Sequence, residues 1–407
     1  PRSFSLFFIE KQFLDASSFS YLPKIKTHGI RGADISGISF HDCFIPDSAL
    51  VGPQGFALES TLKAFQISRT IMPATILGAA DTALRSTLRF ALSRRLYNGS
   101  VFSIPEARRV LVDAFIQLLV CDCVALAAAR SLHLAPSQMS VSSAVAKFFV
   151  PSQIERAIAD LAVVMGARHF LREGHDFGLF QKFMRESAAL GAFHLGGYLN
   201  LSLIGHQMRS MANYGAKSGL RNSSELETSL ESIFSLTKPV PEFNPQHLEL
   251  FNRGRDDITQ GMAICRARLY DLQVKARVDT DTAGILIAFA DDIISEFATQ
   301  ERRLANIEQR YGNAFNQSPE LFALARRHCT LHAAASCLWM WLFNRDHLSG
   351  FFARGEWLIE SLDRLMMTVR PPRHPIPSAY TERIAEELLE LHRNNRLFSI
   401  FPIKLAG

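Results

Sequence analysis

Phe90-Ala91-Leu92-Ser93-Arg94-Arg95-Leu96-Tyr97-Asn98 closes the first long helical pattern of the chain, and the rest of the fold is read outward from it. Apolar residues recur at helical spacing from about Leu58 to Arg95, and Asn98-Gly99-Ser100 then breaks the pattern. Pro73 lies inside this stretch and predicts a kink, because an interior proline removes a hydrogen bond and crowds the preceding turn. Ile104-Pro105-Glu106 opens a second helix, with proline suited to a first turn, and the pattern runs to about His133. A third helix covers roughly Ser140 to Met165. A loop with Gly166, Gly174 and Gly178 follows, and a fourth helix runs from about Leu199 to Met211. Four long antiparallel helices bury their shared faces as a bundle.

Toward the N-terminus the period shortens. Phe4 to Ile9 reads as a compact apolar strand, and Ile35 to Phe40 alternates as a half-buried strand does. Two or three strands without partners do not make a stable domain, so either the first part of this domain is missing or these strands pair with something else. Beyond the bundle, residues 213–245 form a polar join with Pro239, Pro241 and Pro245, enclosing a short helix from Glu225 to Leu236. Further helices are expected at about 247–278, 281–310, 318–345, 353–369 and 379–395. The fold class is mainly α. A partial β-domain segment covers 1–55, a four-helix bundle 56–212, a linker 213–245 and a second helical domain 246–407.

Composition narrows the function. The 407 residues carry a formal net charge of +5, and no Lys/Arg-dense stripe with interleaved aromatics appears, which argues against a nucleic-acid partner. The six cysteines form no CxxC pair and read as reduced core thiols, which fits a cytoplasmic, reducing compartment. No signal peptide or transmembrane helix is read, because the longest uncharged apolar-rich run, Cys329 to Asn344, falls short of a bilayer span. His328 and His332 share a helix face, but no carboxylate lies nearby in sequence, so they read as packing residues and no metal site is expected. Asp256-Asp257 and Asp291-Asp292 read as helix surface, since adjacent helical residues do not converge on one ligand. The basic and aromatic mixtures at 370–374 and 393–401 read as solvated packing surfaces, with a peripheral membrane contact as the sharper alternative.

Several motifs carry a family resemblance. Gly29-Ile30-Arg31-Gly32-Ala33-Asp34, then Ile38-Ser39-Phe40-His41-Asp42-Cys43-Phe44-Ile45-Pro46, are followed by Leu50-Val51-Gly52 and Gln54-Gly55-Phe56. Phe90 to Asn98 is similar to a Y-A-x-x-R-x-x-F-G pattern, and Leu161 to Leu171 to a Q-x-x-G-G-x-G-Y pattern. In order and spacing these resemble the acyl-CoA dehydrogenases, over about residues 4–210, and the C-terminal helices resemble the extension of very-long-chain-type members in layout only.

The resemblance implies FAD as cofactor, an acyl-CoA or related acyl thioester as substrate, an electron-transfer partner of unknown identity, and a homodimer or homotetramer. It implies that Arg94 reaches the pyrophosphate of an FAD bound to a neighbouring subunit. Tyr97 would pack near the adenine or ribose, and the Met165-Gly166 turn would let backbone approach the cofactor. It also implies that Arg69 lines the thioester channel. A planar guanidinium suits phosphate oxygens in each case where phosphate is the partner.

The chain departs from the family pattern at the catalytic base. Counted from Arg185-Glu186-Ser187, the usual glutamate position falls on His194, or on Leu195 if one insertion is allowed. The alternative position, beside Arg69, is Ser68. An imidazole at 194 is competent as a base near neutral pH. Two other readings stay open: a flavoprotein with different chemistry, and a catalytically silent relative that serves as an assembly partner.

Overall fold

A computed structural model describes residues 4–192, 196–217, 223–348, 350–374 and 376–406. Contacts divide the chain into two units, Pro1–Gln66 and Ile67–Gly407.

In the first unit, β1 (Leu6–Phe7) pairs antiparallel with β4 (Leu50–Val51), and β2 (Phe19–Tyr21) with β3 (Ile38–Phe40). Each is a two-stranded ladder, too small to bury a face. Its large apolar side chains therefore lie on the surface: Phe13 is 77% exposed and Phe44 85%. The expected strand from Phe4 to Ile9 is realised only over Leu6–Phe7.

The second unit is helical. Helix α1 (Ala57–Ser93), whose residues from Ile67 belong to this unit, continues through Pro73 to its end. It leads into a hairpin of β5 (Arg95–Leu96) and β6 (Gly99–Ser100). Then come α2 (Pro105–Leu134), α3 (Met139–Met165), α4 (Leu179–Ala192), α5 (Gly196–Lys217) and α6 (Ser223–Phe234). The remaining helices are α7 (Asp257–Gln260), α8 (Met262–Val274), α9 (Thr280–Tyr311), α10 (Pro319–Asn344), α11 (Gly350–Arg354), α12 (Glu356–Met367) and α13 (Ser378–Arg393). Cap chemistry sets several ends. Ser318 caps α10 ahead of Pro319, its Oγ accepting from the Leu321 amide, and Asp279 caps α9 by accepting from the Thr282 amide.

Helix α2 packs along α3, α3 packs on α4 and α5, and α10 lies against α2, α5, α9 and α12. One continuous hydrophobic core runs from Ile76 and Leu84 of α1 through α2 and α3 to Trp339 of α10 and Leu388 of α13. From Leu331 to Trp341, helix α10 is apolar apart from His332 and Ser336, and every residue of that run is buried, as in a central helix. Helix α2 is the one described helix long and apolar enough to cross a membrane, and 72% of its apolar window is buried in this core.

Four expectations are corrected. The segment after Met165 is not loop throughout, since α4 forms within it and buries Phe180 and Ser187. The expected helix at 247–278 is broken at Gly261, where a Cβ would come within 2.5 Å of Leu230 Cδ1 and 3.0 Å of Trp339. The helix expected at 353–369 is split at Gly355, whose φ of 90° only glycine adopts readily. Most consequentially, Asp256, Asp257 and Asp292 are buried, not surface residues. Asp257 accepts from Ser229 Oγ at 2.7 Å, and Asp292 is held by Arg370 and by His374 Nε2 at 2.7 Å. Each carboxylate goes inward because a separate donor waits for it. The Arg370 charge and the His374 imidazole are thereby engaged rather than solvated.

The His328–His332 pair also gains a partner that sequence distance hid. Asp256 Oδ2 lies 3.5 Å from His328 Nε2, and Asp256 Oδ1 lies 3.8 Å from His332 Nε2. All three are buried, and Thr259 Oγ1 donates to Asp256 at 2.8 Å. Burial pushes His332 down to about 4, so the imidazole is neutral at ordinary pH. Burial would raise the Asp256 carboxyl, but the hydrogen bonds from His328 and Thr259, with His332 close by, outweigh it and hold it below the usual carboxylate range.

Candidate functional site

The end of α1 builds the first part of the site. Leu96 pairs with Gly99, so Tyr97-Asn98 is a two-residue turn. Both residues have positive φ, 52° and 66°, as the tight hairpin turn that matches strand twist requires. Asparagine tolerates this conformation, but tyrosine pays about 1 kcal/mol for it. The turn holds the Tyr97 ring in solvent, 93% exposed. Arg94 is exposed at the base of the hairpin, where its backbone carbonyl accepts from the Val101 amide at 2.9 Å. Among the described residues its guanidinium forms no ion pair.

The end of α3 builds the second part. Met165 is buried, 1% exposed, and anchors the helix. Gly166 ends it with φ 57° and ψ −145°, a conformation nearly restricted to glycine. A Cβ built there meets no heavy atom within 4 Å, so conformation rather than crowding demands the glycine, and the backbone faces open space. His169 Nδ1 lies 2.6 Å from the Gly166 carbonyl and fixes the turn that follows.

Phe90 joins the two parts. Arg168 lies over its ring at 5.0 Å, and His175 meets its edge at 5.9 Å. The Phe90 carbonyl accepts from the Arg94 amide at 2.9 Å. Asp176 adds a clasp, bonded to Ser86 and to Arg89 at 2.8 Å. Burial would raise the Asp176 carboxyl, but these two hydrogen bonds more than reverse it. The structure therefore ties the Gly166 loop to the end of α1 that carries Arg94 and Tyr97. Sequence reading missed Arg168 and the Asp176 clasp, because contacts across 78–90 residues leave no local pattern.

Arg69 sits elsewhere. Helical rise separates it from Arg94 by about 37 Å along α1. It is not the solvated residue that an isolated helix arginine would be, because it is 2% exposed. Lys147 of α3, 1% exposed, adds a second positive charge to its surroundings. Lys147 Nζ donates to the Leu190 carbonyl at 2.6 Å, at the end of α4. Burial, with a smaller push from Arg69, lowers the Lys147 ammonium to about 8. Ser68 belongs to the same turn of α1 as Arg69. His194 and Leu195 lie outside the described residues. Among the described residues, no group of three His, Cys, Asp or Glu side chains is arranged to hold a metal ion.

Comparison with known proteins bears on this geometry. The family described as acyl-CoA dehydrogenase, C-terminal domain, matches residues 54–194. A probable acyl-CoA dehydrogenase (fadE25) of Mycobacterium leprae is 24% identical over 183 residues, 45% of this chain and 45% of that protein. A probable medium-chain specific acyl-CoA dehydrogenase 2 of Caenorhabditis briggsae is 26% identical over 117 residues, 29% of this chain and 28% of that protein. The chain thus spans less than half the length of these curated relatives. A crystal structure of acyl-CoA dehydrogenase complexed with FAD from Bacillus anthracis shares the fold, with a TM-score of 0.61 and 15% identity over 95% of this chain and 66% of that one. The segment that carries Arg69, Arg94, Tyr97 and Gly166 lies wholly within the matched residues, and over residues 54–194 the chain is similar to the C-terminal domain of acyl-CoA dehydrogenases.

Proposed function

We propose that this chain is part of an FAD-dependent oxidoreductase that forms an α,β double bond in an acyl-CoA or related acyl thioester. The observation that carries the reading is the Arg94–Tyr97 hairpin. It holds out an exposed guanidinium without an ion pair among the described residues and an exposed aromatic ring, at the cost of backbone strain, and Phe90 ties it to the open Gly166 turn. Packing within the second unit does not call for that combination. A dinucleotide does, because its pyrophosphate suits a planar cationic fork and its purine suits an aromatic face.

In this reading Arg94 binds the FAD pyrophosphate, Tyr97 lies against the adenosine, and the Gly166 backbone approaches the cofactor. FAD, when bound, supplies the hydride acceptor. The hairpin points these groups into solvent, so they serve a flavin held by a second copy of the chain, which makes a homodimer or homotetramer the working assembly. Arg69 and Lys147 face the acyl thioester, where two buried cations stabilise negative charge on its oxygen. His194 takes the α-proton. Residues 1–55 are read as part of a β-domain, 56–212 as the bundle, 213–245 as a linker and 246–407 as a further helical domain.

A second reading is favoured by one observation. Residues 187–197 contain no carboxylate where the family pattern expects its base. Loss of a positioned base costs about 10²–10⁴ in rate, and a silent assembly partner would tolerate that loss. The visible spectrum of the protein with bound flavin, taken anaerobically before and after addition of acyl-CoAs, separates the two. Bleaching of the flavin band supports the dehydrogenase. A flavin band that no acyl-CoA bleaches contradicts it and leaves the assembly role.

A further inference from the structure

Helices α3, α9 and α10 line a cavity of about 710 Å³, with α3 contributing the stretch from Phe148 to Arg156. Its floor is apolar, built from Phe148, Phe149, Ile307, Leu324 and Val369. Its edge is basic. Arg156 from α3, Arg303 from α9 and Arg326 from α10 line it, and all three are exposed. Helices α9 and α10 each place an arginine within about one turn of a floor residue, Arg303 near Ile307 and Arg326 near Leu324, and α3 places Arg156 about two turns from Phe149. A smaller space of about 120 Å³ shares Gln153, Arg156, Thr330 and Thr368 with it and continues between α2 and α12.

The charges do not cancel within the cavity. Arg327, deeper in the wall, is bonded to Glu296 and donates to the Val369 carbonyl at 2.9 Å. Glu320, the one acidic residue in the lining, is already held by Tyr311 Oη at 2.7 Å and by Arg310. Arg156, Arg303 and Arg326 form no ion pair among the described residues, and Arg326 has only the Tyr198 ring, at 5.9 Å. Three guanidiniums without ion-pair partners among the described residues, supplied by separate helices, edge one cavity and favour an anion there. Their planar forks match phosphate, which offers three or more acceptor oxygens to three approaching arginines. A volume in this range with an apolar floor is that of a small-molecule site.

We propose that this cavity is a second ligand site, for a single-chain amphiphile with a phosphate head. The chain lies on the Phe148–Leu324 floor and the head sits between Arg156, Arg303 and Arg326. The site does not depend on the flavin reading, and its occupancy is measured without flavin.

The test is isothermal titration of the 407-residue chain with dodecyl phosphate below its micelle concentration, beside dodecyl maltoside and inorganic phosphate. Saturable one-to-one binding of dodecyl phosphate is expected, with at least tenfold weaker binding of either control. The double variant Arg303→Glu/Arg326→Glu changes two exposed residues, so the fold is retained, and it is expected to weaken dodecyl phosphate more than tenfold. Ala323→Trp, also at an exposed position, narrows the cavity without changing charge and is expected to weaken it as well. Equal binding of the maltoside, inorganic phosphate as tight as the amphiphile, or an affinity indifferent to both variants would overturn the proposal.

Discussion

Acid should loosen this protein through one imidazole, and the size of the effect can be worked out. His332 is 2% exposed, and burial lowers its pKa from 6.5 to about 4, with Asp256 opposing and His328 adding to the shift. A lowered histidine pKa means that the unfolded chain binds the proton first. The associated stability is present above about pH 6.5 and is lost as pH falls toward 4. Between pH 7 and 5 the linkage relation gives a loss of about 2 kcal/mol, rising to about 3 kcal/mol at pH 4. Asp256 does not disturb this window, because its carboxyl is held below the usual carboxylate range and its contribution is lost only in stronger acid. The perturbation is His332→Gln, which keeps a side-chain donor but no titrating group. Urea unfolding at pH 7 and pH 5 can be followed by the fluorescence of Trp339, Trp341 and Trp357, all buried in the same core. The wild type should lose about 2 kcal/mol more than the variant over that interval. Equal losses in the two proteins would refute the assignment of a neutral buried His332.

Two further outcomes follow from buried polar groups. Asn344 is fully buried, accepts from the Leu236 amide at 2.8 Å and donates to the Phe234 carbonyl at 2.8 Å, fastening the end of α6 to α10. Asn344→Leu leaves both backbone groups without these partners and should cost about 2–5 kcal/mol in thermal or urea unfolding, whereas a loss below about 1 kcal/mol would contradict the role. Asp122 accepts from Ser399 Oγ at 2.5 Å and the Ile400 amide at 3.3 Å, yet burial pushes it up to about 6 against those bonds. A raised carboxyl stabilises the fold below the usual carboxylate range and loses that contribution as pH rises through about 6. Asp122→Asn should therefore be the more stable protein near pH 8 and match the wild type near pH 4, and a constant difference across that range would count against the shift.

Much of the fold was legible because it rests on periodicity. The helices at 280–311 and 319–344 fall within two residues of expectation, since long apolar stripes and Asp279, Ser318 and Pro319 mark them. Helix α4 was not legible, because Gly166, Gly174 and Gly178 dominate the reading just before it and it spans only 14 residues. The inward turn of Asp256, Asp257 and Asp292 was not legible either. Their partners His328, Ser229 and Arg370 become neighbours only after α10, α6 and the segment beyond α12 have packed. The same holds for the site. Arg94, Tyr97 and Gly166 were found through motif order, but Arg168, Asp176 and Lys147 act across helices, and no spacing rule reports that.

The central claim is that the Arg94–Tyr97 hairpin is a flavin contact, and FAD titration followed by quenching of flavin fluorescence tests it most directly. The account predicts saturable quenching by the wild-type chain. It predicts at least tenfold weaker binding for Arg94→Ala and a smaller loss for Tyr97→Ala, with unchanged unfolding because both side chains are exposed. An FAD affinity that ignores Arg94, or no FAD binding at all, would contradict it.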